Sequence, residues 1–169
     1  MTRGTKLILV CGLPGTGKTT VAELIAKKTN SRILSTDVIR KEMISLPSYA
    51  EQEKKMVYGM LFSMAEMMLR DSKNVLLDGT FYSKELRESA RSVAKRTKSD
   101  FHLVEVVCDE KAVRKRLEGR KEAGSASDAD FEVYKKIKKT FEPIKEAHAV
   151  IDTSGEWEKE ADALAANIR

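Results

Sequence analysis

Nine consecutive residues, Gly12-Leu13-Pro14-Gly15-Thr16-Gly17-Lys18-Thr19-Thr20, combine small, basic and hydroxyl side chains at a spacing that can hold phosphate. The first eight read glycine, four residues, glycine, lysine and threonine, the pattern of a phosphate-binding P-loop. Gly12, Gly15 and Gly17 let the backbone curl until successive N–H groups point inward. A helix starting near Lys18 adds the positive end of its dipole. Lys18 then reaches the β- and γ-phosphates, and the Thr19 hydroxyl ligates magnesium. All nine residues, Gly12 to Thr20, are expected nucleotide contacts, and the cofactors expected are ATP and Mg2+. The loop alone names no reaction. The chain lacks the N-K-x-D motif that reads guanine in GTPases.

Three weaker constellations surround it. Asp37 and Arg40 follow the second apolar run and lie one helical turn apart, so both can face one pocket. The carboxylate could take a proton from an attacking hydroxyl and the arginine could hold phosphate or acceptor. Alternatively, Asp37 caps a helix and Arg40 pairs with it on the surface. Asp78 ends the apolar run Val75-Leu76-Leu77, where an acid often holds magnesium, although a turn or cap aspartate would look the same. Arg116 and Arg120, four residues apart, make either a phosphate clamp or part of a solvated basic helix. The Gly124-Ser125-Ala126-Ser127 stretch after them would let a lid of about residues 114–128 close over the nucleotide and exclude water.

These residues need a frame. Short apolar runs at about 6–11, 32–36, 74–78, 101–108 and 149–152 read as buried parallel strands. Helical patterns lie between them at 18–28, 37–45, 49–71, 84–97, 110–122, 128–142 and 156–168. Ser127 with Asp130, and Thr153 with Glu156, have capping-box spacing, and Pro143 ends the helix before it. Strand–helix alternation predicts one doubly wound α/β domain over residues 1–169 with right-handed crossovers. Met56, Met60, Met64 and Met67 recur at helical spacing. They predict a core-facing stripe or, alternatively, a pliable wall of an acceptor pocket. His102, His148 and Trp157 read as packing or surface residues.

The apolar fraction of 41% and charged fraction of 34% suit a soluble globular chain. No run approaches the roughly 18 residues of a membrane span, and the first apolar run is too short for a signal peptide. Cys11 and Cys108 read as two buried thiols of a cytoplasmic protein. The formal charge of +5 suits an anionic ligand without deciding which.

Together, Gly12–Thr20, Ser35–Lys41, Leu76–Phe81, Arg114–Arg120 and Ser127–Tyr134 resemble the small P-loop kinases that phosphorylate hydroxyl groups. That group includes polynucleotide 5′-hydroxyl kinases, gluconate kinase, chloramphenicol phosphotransferase and zeta-toxin kinases. The resemblance implies a three-layer P-loop NTPase fold with a five-stranded parallel sheet ordered 2-3-1-4-5 and an arginine-bearing lid. It implies Asp37 as general base, Arg40 as an acceptor-side phosphate contact, and Arg120 with Arg116 on the transferring phosphoryl group. It also brings the turn Asp152-Thr153-Ser154-Gly155 near the adenine. Adenylate kinase is the rival, with a similar turn after its second strand. That family continues its third strand into D-G-[FY]-P-R, whereas this chain reads Asp78-Gly79-Thr80-Phe81-Tyr82. The missing arginine argues against a nucleoside monophosphate acceptor, although Arg40 and Arg87 remain nearby.

The expected activity is transfer of the ATP γ-phosphate to a hydroxyl, on a small alcohol or a polynucleotide 5′ end. The alternatives are a nucleoside monophosphate kinase and a nucleotide-gated regulatory module. A nucleic-acid partner draws on the lysine-rich face Lys135, Lys136, Lys138 and Lys139.

Overall fold

The computed structural model describes residues 4–123 and 130–168. In chain order the elements are β1 (Lys6–Cys11), α1 (Lys18–Thr29), β2 (Ser31–Ser35), α2 (Thr36–Met43), α3 (Glu51–Arg70), β3 (Asn74–Asp78), α4 (Lys84–Thr97), β4 (Asp100–Val107), α5 (Glu110–Ala123), α6 (Phe131–Thr140), β5 (Ala149–Asp152) and α7 (Glu158–Ile168). The strands form one parallel sheet in the order β2-β3-β1-β4-β5. This is the doubly wound α/β arrangement expected from strand–helix alternation, in the P-loop NTPase strand order that the family resemblance implied.

β1 has period-two side chains but is apolar on both faces, because both faces are covered. Leu7, Leu9 and Cys11 pack with Val57, Leu61, Phe81 and Ala90 from α3, α4 and the loop before α4. Ile8 and Val10 pack on the other side with Val21, Ile25, Ala161 and Ile168 from α1 and α7. A third cluster, Val113, Leu117 and Tyr134, joins α5 to α6 and touches Leu13 of the glycine-rich loop. The register sets Val10 of β1 beside Asp78 of β3, and Asp78 beside Ser35 of β2. The loop after β1, the acid ending β3 and the start of α2 therefore share one crevice at the carboxyl edge of the sheet, where α/β folds bind ligands.

Several expectations need correction. The methionine stripe faces outward: Met56, Met60 and Met67 are 58%, 42% and 67% exposed. The buried line of α3 is Glu53, Val57, Tyr58, Leu61, Ala65 and Leu69, with Met64 and Met68 at its margin. Leucine, valine and the aromatics of α3 outcompete the thioethers for the core, because the helix can bury only one stripe. α6 is capped by Asp130, whose side chain accepts from the Val133 N–H at 2.9 Å; Ser127 lies outside the described residues. Thr153 caps no helix, since α7 starts only at Glu158 and the Thr153 hydroxyl is engaged elsewhere. Cys108 follows β4 and is half-buried, whereas Cys11 is fully buried; both thiols are free. Trp157 precedes α7 and packs against the α1–α7 core. No described helix is long and apolar enough to cross a membrane.

Candidate active site

The glycine-rich loop is shaped by three positive φ angles, 144° at Gly12, 79° at Gly15 and 89° at Gly17. Two of these glycines also leave no room for a side chain. A Cβ at Gly12 would strike the Val106 carbonyl oxygen, and one at Gly15 would lie 2.9 Å from Leu117 Cγ. α5 is therefore packed directly against the loop. Lys18 Nζ donates to the Leu13 carbonyl at 2.9 Å, and Thr16 Oγ1 donates to the same oxygen at 2.8 Å. Burial pushes the Lys18 ammonium pKa down; the charges of Asp78 and Asp37 oppose that fall, and Arg120 adds to it.

Thr19 Oγ1 donates to Asp78 Oδ2 at 2.9 Å. Asp78 is 3% exposed, and burial pushes its carboxyl pKa up despite Lys18 and the Thr19 hydrogen bond, with Asp37 and Glu23 raising it further. A hydroxyl and a carboxylate side by side are the hard oxygen donors that Mg2+ takes. These two residues therefore fit the ion that the loop implies. No group of three or more His, Cys, Asp or Glu with metal-binding geometry occurs among the described residues.

Asp37 sits in the first turn of α2 with its side chain 44% exposed, while Ser35 occupies the N-cap position. Arg40 is not a surface partner, because its side chain is only 9% exposed. It bridges Asp37 Oδ1 at 3.4 Å and Glu53 Oε1 at 3.1 Å, and lies over the Tyr49 ring at 4.7 Å. Glu53 had no motif to announce it; only the packing of α3 on α2 brings it to Arg40. Arg87 is fully buried, with Glu146 Oε1 3.8 Å from its Nε. It donates to the Phe81 carbonyl at 2.8 Å and the Glu142 carbonyl at 2.9 Å, tying the loop before α4 to the turn after α6. Phe81 itself holds a left-handed φ of 47°, and its N–H donates to the Tyr58 hydroxyl oxygen at 3.1 Å.

Arg116 is anchored rather than free. It donates to Thr153 Oγ1 at 2.8 Å and to the Thr153 carbonyl at 2.7 Å, and Thr153 Oγ1 in turn donates to the Thr16 carbonyl. The buried Thr153 hydroxyl thus links α5 and the end of β5 to the phosphate loop. Sequence spacing read this threonine as a cap because the loop it serves is 137 residues away. Arg120 is half-buried one turn further along α5. The Gly/Ser part of the expected lid lies outside the described residues.

A family model described as an AAA domain matches residues 7–144. The chain belongs to this AAA-domain family. Among relatives, an adenylate kinase of Nautilia profundicola is 30% identical over 166 residues, 89% of this chain and 84% of that protein. An uncharacterized protein of Mycobacterium tuberculosis is 30% identical over 142 residues, 76% of this chain and 28% of that protein. The AAA-domain chain thus spans under a third of that relative's length. The Mycobacterium tuberculosis APS kinase in complex with AMPPNP and APS superposes with a TM-score of 0.75 at 18% identity, covering 97% of both chains. At that identity the likeness concerns the fold.

Proposed function

We propose that this chain is an ATP-dependent phosphotransferase whose acceptor is a hydroxyl group, with Asp37 as the general base. The observation that carries the reading is a half-exposed carboxylate, Asp37, that shares an electrostatic environment with the phosphate-loop Lys18 and the buried Asp78. A base in that position can take the proton of a hydroxyl as it attacks the terminal phosphoryl group, while the bond from the γ-phosphorus to the bridging oxygen breaks and ADP leaves.

In this reading the loop N–H groups and Lys18 bind and orient the triphosphate of ATP. Thr19 and Asp78 would hold Mg2+, which supplies charge neutralisation at the β- and γ-oxygens when bound. Arg120 contributes positive charge from the α5 side, and Arg116 with Thr153 keeps α5 docked on the loop. Asp37 orients the acceptor hydroxyl and receives its proton. A cytoplasmic location accords with two free thiols.

The test is transfer of label from γ-labelled ATP across a panel of hydroxyl compounds, including 5′-hydroxyl oligonucleotides. Asp37→Asn should lower transfer about 10²- to 10⁴-fold with ATP-analogue binding unchanged. Undiminished transfer in that variant would remove Asp37 as the base.

A nucleoside monophosphate kinase is the second reading, favoured by the similarity to the Nautilia adenylate kinase. Failure of AMP, CMP, GMP and UMP as acceptors would dismiss it. A polynucleotide acceptor draws less support from the basic face of α6, since Lys135 pairs with Glu132 and Lys138 with Glu110. Oligonucleotide binding that does not weaken with salt would exclude phosphate contacts there. Rapid phosphorylation of any small alcohol would dismiss a purely regulatory nucleotide module.

A further inference from the structure

We propose that Glu53 sets the charge of the acceptor subsite, so that the group seated beside Asp37 is uncharged and bears a hydroxyl, and is not a monophosphate. This deepens the phosphotransferase reading and rests on it.

Glu53 lies in the first turn of α3, and the fold returns it to α2, where its side chain and that of Arg40 are 8% and 9% exposed. Both of its oxygens are occupied. Oε1 accepts from Arg40 Nε at 3.1 Å. Oε2 accepts from the Ser48 N–H at 2.6 Å, the Ser48 hydroxyl at 2.8 Å and the Tyr49 N–H at 3.1 Å. Burial raises the Glu53 pKa, but the hydrogen bonds from Ser48 and Tyr49 and the charge of Arg40 outweigh it, leaving the carboxyl below the ordinary carboxylate range. Glu53 is therefore a fixed negative charge that both holds Arg40 and pins the segment between α2 and α3. Tyr49 completes the clamp, with a left-handed φ of 57° and its ring against the guanidinium.

Arg40 is the arginine the sequence offered for gripping an acceptor phosphate, and it faces two carboxylates, Asp37 and Glu53. The three side chains together carry one net negative charge. A phosphate arriving there would meet that charge and would compete with a carboxylate already bonded to the arginine in a poorly solvated place. Arg87 does not compensate, because two of its nitrogens donate to the Phe81 and Glu142 carbonyls and its charge faces Glu146 at 3.8 Å. A neutral hydroxyl meets no such penalty and can donate to Asp37. Glu53 is on this view a positioning residue, acting through Arg40 and through the charge it adds.

Adenosine and AMP are matched probes, differing by one phosphate. The full chain is loaded with Mg2+ and a non-hydrolysable ATP analogue so that the phosphate loop is filled, then titrated with each. The wild-type protein should bind AMP no more tightly than adenosine. Glu53→Gln, shown by its thermal melt to be folded, should shift the preference toward AMP by about tenfold, as removal of a like charge from a buried site predicts. AMP binding absent in the wild type and present in Glu53→Gln is the same result in its extreme form. A wild-type preference for AMP of about tenfold or more, or an unchanged preference in folded Glu53→Gln, overturns the proposal. Should Glu53→Gln alone not fold, Arg40→Met combined with Glu53→Gln removes both buried charges together while the glutamine oxygen still accepts from Ser48 and Tyr49. That double variant should keep the wild-type preference, and a loss of AMP binding in it would show that Arg40 grips phosphate. Binding of the ATP analogue is read in the same titrations. Its failure would strike the phosphotransferase reading, whereas the AMP-to-adenosine preference addresses Glu53.

Discussion

The two halves of the crevice are built by different means. On the proposed nucleotide side the groups are backbone N–H groups and contiguous residues, Gly12 to Thr20, held in shape by glycine φ angles and by α5 packed on Gly15. On the acceptor side they are side chains collected from α2, α3 and the loops beside them, held by ion pairs and aromatic contacts. A backbone cradle is specified by local conformation, so its chemistry appears as a motif. A side-chain clamp is specified by which helices meet, so its chemistry is spread through the chain. On the proposed reading the first half suits a triphosphate, and the second would change its ligand by changing one partner, such as Glu53.

On the nucleotide side the largest effect should come from Lys18. Lys18→Met leaves the loop backbone intact but removes the charge near the transferring phosphoryl group, and should lower label transfer by about 10²- to 10³-fold. Retention of wild-type transfer would mean that the backbone cradle suffices, and would weaken the contrast between the halves.

Thr153→Val should have a smaller effect. It deletes the hydroxyl between the Thr16 carbonyl and Arg116 and leaves both without that partner. A loss of about 1–3 kcal/mol in denaturant unfolding is expected, together with weaker ATP-analogue binding. Unchanged nucleotide affinity would show that the loop needs no support from β5.

Two substitutions on α3 test the acceptor-side scaffold. Leu61 is fully buried and Leu61→Ala should cost about 2–5 kcal/mol by chemical denaturation. Met60, adjacent but 42% exposed, should change stability by less than about 0.5 kcal/mol as Met60→Gln. A large loss at Met60 would restore the inward methionine stripe that helical spacing suggested.

The smallest effect is chemical. Cys11 lies directly beneath the loop, and burial, with the Glu105 charge adding to it, pushes its thiol up to about 12. A raised thiol pKa means almost no thiolate at pH 8, so iodoacetamide should modify Cys11 only after unfolding, whereas the half-buried Cys108 should react in the native protein. Rapid native alkylation of Cys11 would indicate that the floor of the nucleotide side opens.

Much of the architecture was legible in the chain. The five strands and seven helices among the described residues fall within about three residues of the positions that apolar runs and helical periods suggested, because a doubly covered parallel sheet needs strongly apolar strands. The strand order came from the family resemblance and agrees with the register observed. Errors arose where one local signal has two tertiary outcomes. Methionines at helical spacing mark a stripe but not which way it faces. A threonine three residues before a glutamate matches a capping box whether or not a helix starts there.

By itself the sequence determined the phosphate loop, since its conformation depends on glycines and a helix start within nine residues. It also placed Asp37 and Arg40 on one turn and Asp78 at a strand end. Only the tertiary structure decided what these groups do to one another. It buried Arg40 against Glu53, turned Arg87 to two carbonyls, set Thr19 on Asp78 and locked Arg116 through Thr153 to the loop. The physical reason is range. Backbone geometry is settled by neighbours in sequence, whereas the charge of a pocket is settled by whichever side chains the packing of helices brings within a few ångströms.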